Sequence, residues 1–193
     1  NFDLSHPKNP IKVTVEDHEG ALRYSGVTLR GIQVSVSPDW LKWKLKAIDL
    51  EPINNIVDIT NYVLHSLGQP MHAFDADEVG SSIIVKRLPT DTSFTTLDGK
   101  ERKLSDQDLM ICNTEGGMCL AGVFGGQKSG VTNETTDIFL ESACFSPEYV
   151  RSTAQRHGLN TDASFRFERS TDPEMTIFAL KYATQLILEI AGG

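Results

Sequence analysis

His72 is the first residue of this chain whose position suggests chemistry. It follows Gly68, which ends a helical pattern, and Pro70, which fixes the backbone of a predicted turn. An imidazole held just beyond a rigid element could orient a water molecule or donate a hydrogen bond to a carbonyl group. A loop histidine is also commonly a satisfied polar residue, and that simpler interpretation applies more strongly to His65 and His157.

Glu141 is the second candidate. It follows the apolar run Ile-Phe-Leu at 138–140, so its carboxylate is predicted to lie at the mouth or inside of a sheet, where it needs a hydrogen-bond donor. The donor could be a hydroxyl group of a ligand. It could equally be an arginine of the same chain, such as Arg151 or Arg166. The residues alone leave both possibilities open.

Two further segments could border a ligand. The sequence Gly-Val-Phe-Gly-Gly at 122–126 permits close approach of a backbone to a ligand, although paired glycines more commonly make a tight turn. It lacks the lysine and the spacing of a phosphate-binding loop. The polar segment Asn-Thr-Asp-Ala-Ser at 160–164 could cap a helix, and Ser164 lacks the flanking glycines of a nucleophile elbow.

Short strands are predicted to position these residues. Period-two alternation and β-branched content predict strands at 12–15, 27–36, 83–87, 109–112, 118–124 and 138–141. An Asp-Gly pair at 98–99 between two short runs is typical of a hairpin turn. The first part and the middle of the chain are therefore expected to be rich in β structure.

Four helices complete the prediction. Ser37 is expected to cap the first with Pro38 at its first position, and Pro52 is expected to open the second, which ends at Gly68. The third lies between Pro147 and a stop at Gly158, and the fourth starts at 172–174. The expected buried positions are Leu41, Leu45 and Ile48; Ile53, Ile56, Val57, Thr60, Val63, Leu64 and Leu67; and Ile177, Leu180, Thr184, Ile187 and Ala191. The mixture predicts an α+β fold, with helices packed on a largely antiparallel sheet.

Composition narrows the class of protein. At 193 residues and 39% hydrophobic content the chain can form one domain or two fused subdomains, and no apolar run is long enough to span a membrane. Three cysteines without CxxC spacing support neither a disulfide framework nor a zinc site, so we expect a reducing, cytoplasmic setting. A net charge of -8 argues against a tight grip on nucleic acid by this chain alone. The start without methionine suggests a piece of a longer polypeptide.

Four segments together resemble one family. They are Ile-Asn-Asn-Ile-Val-Asp-Ile-Thr-Asn-Tyr-Val at 53–63, Gly-Gln-Pro-Met-His-Ala-Phe-Asp at 68–75, the glycine segment at 122–126, and His-Gly-Leu-Asn-Thr-Asp-Ala-Ser at 157–164. In this order they resemble the B3/B4 editing region of bacterial phenylalanyl-tRNA synthetase β subunits, from about Tyr24 to Gly193. The resemblance implies that residues 1–193 are an α+β editing domain within a longer β subunit.

The resemblance also implies an activity and a set of site residues. The expected reaction is hydrolysis of the ester between tyrosine and tRNA(Phe), because a pocket for phenylalanine rejects the extra hydroxyl group only about 10²-fold and a second sieve is useful. Glu141 would accept the phenol proton of tyrosine. His72 and Thr161 would act at the ester, with His72 orienting water or the terminal ribose. The expected substrate-binding residues, besides Glu141, are Asn61, Pro70, Met71, Ala73, Gly125 and Ala163.

No metal or redox cofactor is implied for this domain, since the ATP and magnesium of the family belong to the α subunit. The implied partners are the 3′ end of aminoacylated tRNA(Phe) and the catalytic α subunit of an α2β2 assembly, without DNA or a membrane. Two positions depart from the family pattern: Glu51 stands where a basic residue is expected, and Ser170 replaces a glycine. Two alternatives stay open, a free-standing trans-editing deacylase and a non-catalytic module that positions tRNA.

Overall fold

The computed structural model describes residues 9–193 and shows an α+β fold. The described residues form ten strands: β1 (Lys12–Val15), β2 (Ala21–Leu29), β3 (Met71–Asp75), β4 (Ser82–Arg87), β5 (Ser93–Thr95), β6 (Glu101–Lys103), β7 (Leu109–Cys112), β8 (Gly117–Leu120), β9 (Phe124–Gly125) and β10 (Ile138–Phe145). Their helices are α1 (Asp39–Lys46), α2 (Asn55–Leu67), α3 (Ala76–Val79), α4 (Pro147–His157), α5 (Asp162–Phe167) and α6 (Met175–Ala191). The mixed fold class predicted from the sequence is confirmed.

The described strands form three sheets. One has the order β1-β4-β7-β8-β9, the second has β10 between β2 and β3, and β5 and β6 make a hairpin. The β1–β4 pair is parallel, and the other pairs are antiparallel. The largely antiparallel character expected from the sequence is therefore present, but it is divided among separate sheets.

Two hydrophobic clusters meet at β10. We call them the strand core, which includes Ile83, Met110, Ile111, Leu120 and Phe145, and the helix core, which includes Leu45, Ile56, Ile59, Val63 and Ala183. Successive side chains of β10 point to opposite faces, so its Phe139 and Ala143 belong to the strand core while its Ile138 and Leu140 belong to the helix core. One strand therefore belongs to both cores.

The strand predicted at 27–36 was misplaced. β2 begins earlier, at Ala21, and ends at Leu29, because Gly31 takes a left-handed φ of 69° that turns the chain away from the sheet. Beyond that turn the backbone bonds elsewhere: the Ile32 amide donates to the Thr136 carbonyl, at 2.8 Å. Period-two alternation alone cannot show where the chain leaves the sheet.

The ends of the first two helices also differ from the prediction. The Ser37 hydroxyl does not cap α1 and instead donates to a carboxylate oxygen of Asp58, at 2.5 Å. Asn54, rather than Pro52, begins α2, since its side-chain oxygen accepts hydrogen bonds from the amides of residues 56 and 57. Ile48 and Ile53, expected to be buried, are exposed, as is Ile177 of α6. The stops at Gly68 and Gly158, both left-handed, are confirmed.

Two local findings bear on the site. His72 was predicted to lie in a turn, but it lies within β3 and is therefore held by strand pairing. Ser170 has a φ of 72°, in the left-handed region that favours glycine. This backbone conformation explains why the family pattern has a glycine at this position. In this chain serine adopts the same conformation.

Candidate functional site

Strand register brings Glu141, His72 and Tyr24 together. Glu141 of β10 lies directly opposite His72 of β3, and Tyr24 of β2 lies opposite Ala143, two positions further along β10. Opposed residues, and residues two apart on one strand, share a face of a sheet. The three side chains therefore converge on the face that carries the strand core.

Glu141 and His72 border a cavity of about 270 Å³. This volume lies just below the ~300–1,000 Å³ of pockets for drug-sized ligands, so it suits a ligand of about amino-acid size. The lining comes from α2, β3, the β5–β6 hairpin, the segment from β8 to β9, β10, and α5 with its cap. Its residues are Thr60, Asn61, Leu64, Pro70, Met71, His72, Leu97, Cys119, Gly122, Val123, Phe124, Gly125, Glu141, Thr161, Asp162, Ala163 and Phe167.

Glu141 is a buried carboxyl group with a phenol as its partner. Only 5% of the residue is exposed, and the Tyr24 hydroxyl donates to its Oε2 atom at 2.5 Å. Burial raises the pKa of Glu141 to about 7, although the hydrogen bond from Tyr24 acts in the opposite direction. The arginine partner considered from the sequence was wrong: the guanidinium of Arg151 donates to the Glu168 carbonyl, and that of Arg166 lies by the Phe165 ring.

His72 presents an unpaired nitrogen atom. Its Nε2 atom is shielded from solvent and has no hydrogen-bond partner among residues 9–193. Burial lowers the pKa of His72 to about 4, so the imidazole is neutral at physiological pH. The ring packs edge-on against Phe74, with centroids 4.3 Å apart. A neutral, fixed imidazole with a free ring nitrogen can bind a water molecule or a polar group of a ligand.

Thr161 lies on the cavity wall but its hydroxyl group is already occupied. The Oγ1 atom accepts a hydrogen bond from the Ser164 amide, at 3.0 Å, and donates to the Val123 carbonyl, at 2.9 Å. Thr161 and Ser164 form a capping box at the start of α5, which confirms the helix cap predicted for this segment. This geometry favours a positioning role for Thr161, which joins α5 to the glycine segment.

Gly125 is required by close packing. A Cβ atom built on it would lie 2.9 Å from Leu97 Cδ1 and 3.2 Å from His72 Cε1. The Leu97 amide also donates to the Gly125 carbonyl, at 3.0 Å, so the hairpin tip is fastened to β9 at this point. The close backbone approach suggested for the glycine segment therefore occurs, with side chains of the same protein as neighbours.

The structure brings eight of the nine predicted site residues to the cavity. The exception is Ala73, which points to the opposite face of β3 and packs in the helix core. Sequence reasoning missed Tyr24 beside the cavity and Thr60, Leu64, Leu97, Cys119 and Phe167 on its wall. The Asp-Gly signal at 98–99 did locate a turn next to Leu97, but no sequence signal showed where that turn would dock.

Two other histidines, His157 and His65, lie beside aspartates. His157 Nε2 lies 2.7 Å from Oδ2 of the buried Asp108, whose other oxygen accepts bonds from Thr153 and Arg156. Burial opposes ionisation of Asp108, but the Ser105 amide, His157 and Thr153 together hold its pKa below the usual value. His65 Nε2 lies 3.5 Å from Asp162. The interpretation as a satisfied polar residue fits His157, whereas the buried Nε2 atom of His65 has no hydrogen-bond partner among residues 9–193.

A second cavity, of about 340 Å³, lies between the hairpin and the loop at 113–117. Its wall contains exposed glutamates such as Glu78 and Glu115 together with three glycines, and it has no buried ionisable group. The smaller cavity is the better candidate site, since a buried carboxyl group and an unpaired imidazole meet there.

Within 9–193, no three His, Cys, Asp or Glu side chains are arranged to hold a metal ion. In the same region, no helix is both long and apolar enough to cross a membrane.

Comparison with known proteins places the chain in a family. The model of the B3/4 domain family matches residues 20–192. The chain therefore belongs to the B3/4 domain family.

The curated relatives it resembles are phenylalanine–tRNA ligase β subunits. The chain is 61% identical to the β subunit of Bacteroides fragilis over its whole length, and 58% identical to that of Bacteroides thetaiotaomicron, also over its whole length. It covers 23% and 24% of those two proteins, so it spans about a quarter of their length.

A solved structure shows the same fold. It is an N-terminal fragment of the phenylalanyl-tRNA synthetase β subunit from Pyrococcus horikoshii, with a TM-score of 0.51 and 15% sequence identity. The alignment covers 78% of this chain and 52% of that fragment. The α+β architecture is thus shared with a protein of low sequence identity.

Proposed function

We propose that this chain is a proofreading domain that hydrolyses the ester of tyrosine mischarged onto tRNA(Phe). The observation that carries the proposal is Glu141, a buried carboxyl group on the wall of a cavity of about amino-acid size. The resemblance to phenylalanine–tRNA ligase β subunits supports it. We further propose that residues 1–193 form the editing domain of a longer β subunit.

Glu141 provides a physical basis for preferring tyrosine. Its bond with Tyr24 already shows that this carboxylate accepts a phenol hydroxyl group. A tyrosyl ligand would supply a second phenol donor, whereas phenylalanine would leave the carboxylate oxygen buried and unpaired. Leaving such a group unsatisfied costs ~1–3 kcal/mol or more, which is about tenfold or greater discrimination.

His72 fits a role in placing the reacting groups. With a pKa of about 4 it is a weak general base, and its unpaired Nε2 atom is better suited to hold the attacking water or the terminal ribose by a hydrogen bond. The proton of the attacking water would leave with solvent or with the ribose oxygen as the ester bond breaks.

The net charge of the chain is consistent with a limited contact to RNA. With a charge of -8, the domain would receive only the 3′ end of the charged tRNA, while other parts of a longer polypeptide hold the rest. We propose aminoacylated tRNA(Phe) and a catalytic α subunit as partners, in the cytoplasm.

A glutamine substitution tests the proposal. In a full-length β subunit carrying this domain and assembled with its α subunit, Glu141→Gln should lower kcat/KM for tyrosyl-tRNA(Phe) hydrolysis by about tenfold or more, since it removes the charged acceptor. Hydrolysis of phenylalanyl-tRNA(Phe), already slow, should change little. Both rates can be measured by release of radiolabelled amino acid from purified tRNA.

The matched control is Glu115→Gln, which alters an exposed glutamate at the second cavity. It should leave both rates at the unsubstituted level. An unchanged tyrosyl rate in Glu141→Gln would contradict the assigned sieve. If the unsubstituted enzyme released neither amino acid, the domain would instead be a non-catalytic module that positions tRNA.

A further inference from the structure

Tyr24 contacts the candidate site from behind. Its hydroxyl group donates to Glu141 Oε2 at 2.5 Å, and its ring packs edge-on against Phe145 with centroids 6.4 Å apart. Glu141 borders the cavity whereas Tyr24 does not. The Tyr24 hydroxyl therefore binds the Glu141 carboxylate from the side that faces away from the cavity.

The second oxygen of Glu141 has a different environment. In the described part of the chain, Oε1 accepts no hydrogen bond, and the bond to Oε2 is the one that the carboxylate makes. A carboxylate offers about four lone-pair positions, so a single donor leaves most of its capacity unused. Because Glu141 lines the cavity, its free oxygen can accept a hydrogen bond from a ligand there.

The ionisable groups facing Glu141 come from each neighbouring strand. They are Tyr24 on β2, His72 on β3 and Cys119 on β8, and Asp162 at the start of α5 also lines the cavity. His72 is neutral and the thiol of Cys119 has a pKa raised by burial, so neither supplies a positive charge. The hydrogen bond from Tyr24 is the interaction that favours the charged form of Glu141 against the effect of burial.

We propose that Tyr24 is a positioning residue that determines specificity, because its hydroxyl group holds one oxygen of Glu141 and keeps the other as a charged acceptor facing the ligand. This inference rests on the proposed function. A neutral carboxyl group carries its own proton, so it can donate as well as accept, and it no longer requires a ligand with a hydroxyl group. Tyr24 would thus preserve the preference for tyrosine without touching the substrate.

The direction of the pH effect follows from this contact. Donation by Tyr24 stabilises the carboxylate, so its removal should raise the pKa of Glu141 above its value of about 7. At neutral pH the variant would then hold mostly the uncharged acid. Discrimination should fall several-fold at pH 7 and recover at higher pH, where the carboxyl group ionises again.

The contact itself can be tested on the 193-residue chain by ¹³C NMR. Tyr24→Phe keeps the ring and its packing, and the Glu141 carboxyl resonance should titrate about one pH unit higher than in the unsubstituted chain, a tenfold change in proton affinity. Tyr149→Phe is the control, because the Tyr149 hydroxyl bonds to Arg87 outside the site; its Glu141 midpoint should not move. An unchanged or lower midpoint in Tyr24→Phe would overturn the proposal.

A second measurement needs no substitution. In the unsubstituted chain the Tyr24 Cζ resonance should respond to pH with the same midpoint as Glu141, since the acceptor of its hydroxyl group changes charge. Independent midpoints would count against the contact even if the Tyr24→Phe variant failed to fold.

Specificity is tested in the full-length assembled synthetase. Tyr24→Phe should reduce the ratio of tyrosyl to phenylalanyl ester hydrolysis about fivefold at pH 7, because the ionised fraction of Glu141 falls by that factor, with little loss at pH 9. A purely structural role would lower both rates together, with no pH dependence, and would refute the assignment. If the unsubstituted enzyme hydrolysed neither ester, the proposed function would fail, and the NMR midpoints would still decide whether Tyr24 controls Glu141.

Discussion

At the scale of single residues, the shape of the cavity depends on a missing side chain. Gly125 separates the Leu97 methyl group from the His72 ring, and both would contact a Cβ atom at shorter than ordinary van der Waals distances. His72 is held within β3 by strand pairing, whereas Leu97 Cδ1 is the end of a half-exposed side chain that would have to move aside. A single methyl group at Gly125 is therefore expected to displace the groups that bind the ligand.

We expect Gly125→Ala to weaken binding of a non-hydrolysable tyrosyl-adenosine analogue by about tenfold, since overpacking typically costs ~1–3 kcal/mol. Isothermal titration calorimetry measures the affinity, and thermal unfolding reports the accompanying loss of stability. Gly116→Ala is the matched control: a Cβ atom there meets no atom within 4 Å. Equal affinities for the two variants would show that the Gly125 contact does not shape the binding site.

At the scale of elements, one arginine fastens the β5–β6 hairpin over the cavity. Arg102 of β6 donates to the Thr96 hydroxyl at 2.9 Å, to the His157 carbonyl at 2.7 Å and to Asp98 at 3.1 Å. The hairpin tip is thereby tied to the end of α4. Since Leu97 lies on this tip and lines the cavity, the position of one wall depends on a contact made by a neighbouring strand.

Arg102→Met keeps the aliphatic part of the side chain and removes all three donor contacts. We expect the free energy of local opening of the hairpin to fall by about 1–3 kcal/mol, so the Leu97 and Thr96 amides should exchange with deuterium about tenfold faster or more. Hydrogen exchange followed by NMR measures this directly. Lys46→Met, at an exposed position of α1 away from the hairpin, should leave the exchange rates unaltered.

Helix ends show how tertiary contacts redirect local signals. Ser37 and Pro52 are residues of the type that begins helices, yet Asp58 captures the hydroxyl of Ser37 and Asn54 caps α2. A capping side chain has several acceptors and donors within reach in a folded protein. The choice among them depends on neighbours that are distant in sequence.

At the scale of the whole molecule, β10 links the two cores. Its Phe139 and Ala143 pack in the strand core, while its Ile138 and Leu140 pack in the helix core. If one core unfolded, one face of β10 would be exposed to solvent, and the other core would lose the strand on which it packs. The two cores are therefore expected to unfold together, in a single cooperative transition.

This expectation can be tested because both tryptophans of the chain, Trp40 and Trp43, lie on α1 beside the helix core. Ile111→Ala, in the strand core, should lower the free energy of unfolding by about 2–5 kcal/mol. In urea it should shift the tryptophan fluorescence transition as far as the circular dichroism transition. A fluorescence transition that stays in place would show that the cores unfold separately.

The sequence by itself determined the local features. Hydrophobic periodicity located most strands and helices, and the helix stops at Gly68 and Gly158 were predicted correctly because glycine alone reaches the left-handed conformation at little cost. The family resemblance named eight residues that the fold brings to one cavity. The α+β class followed from the same patterns.

Only the tertiary structure decided which groups meet at Glu141. The register of β10 against β2 and β3 places Tyr24 and His72 beside it and turns Ala73 away, and a shift of one residue would reverse all of these faces. Register depends on the packing of both cores and on distant turns, so no local pattern contains it. The phenol partner of Glu141, absent from every sequence motif, is a product of that register.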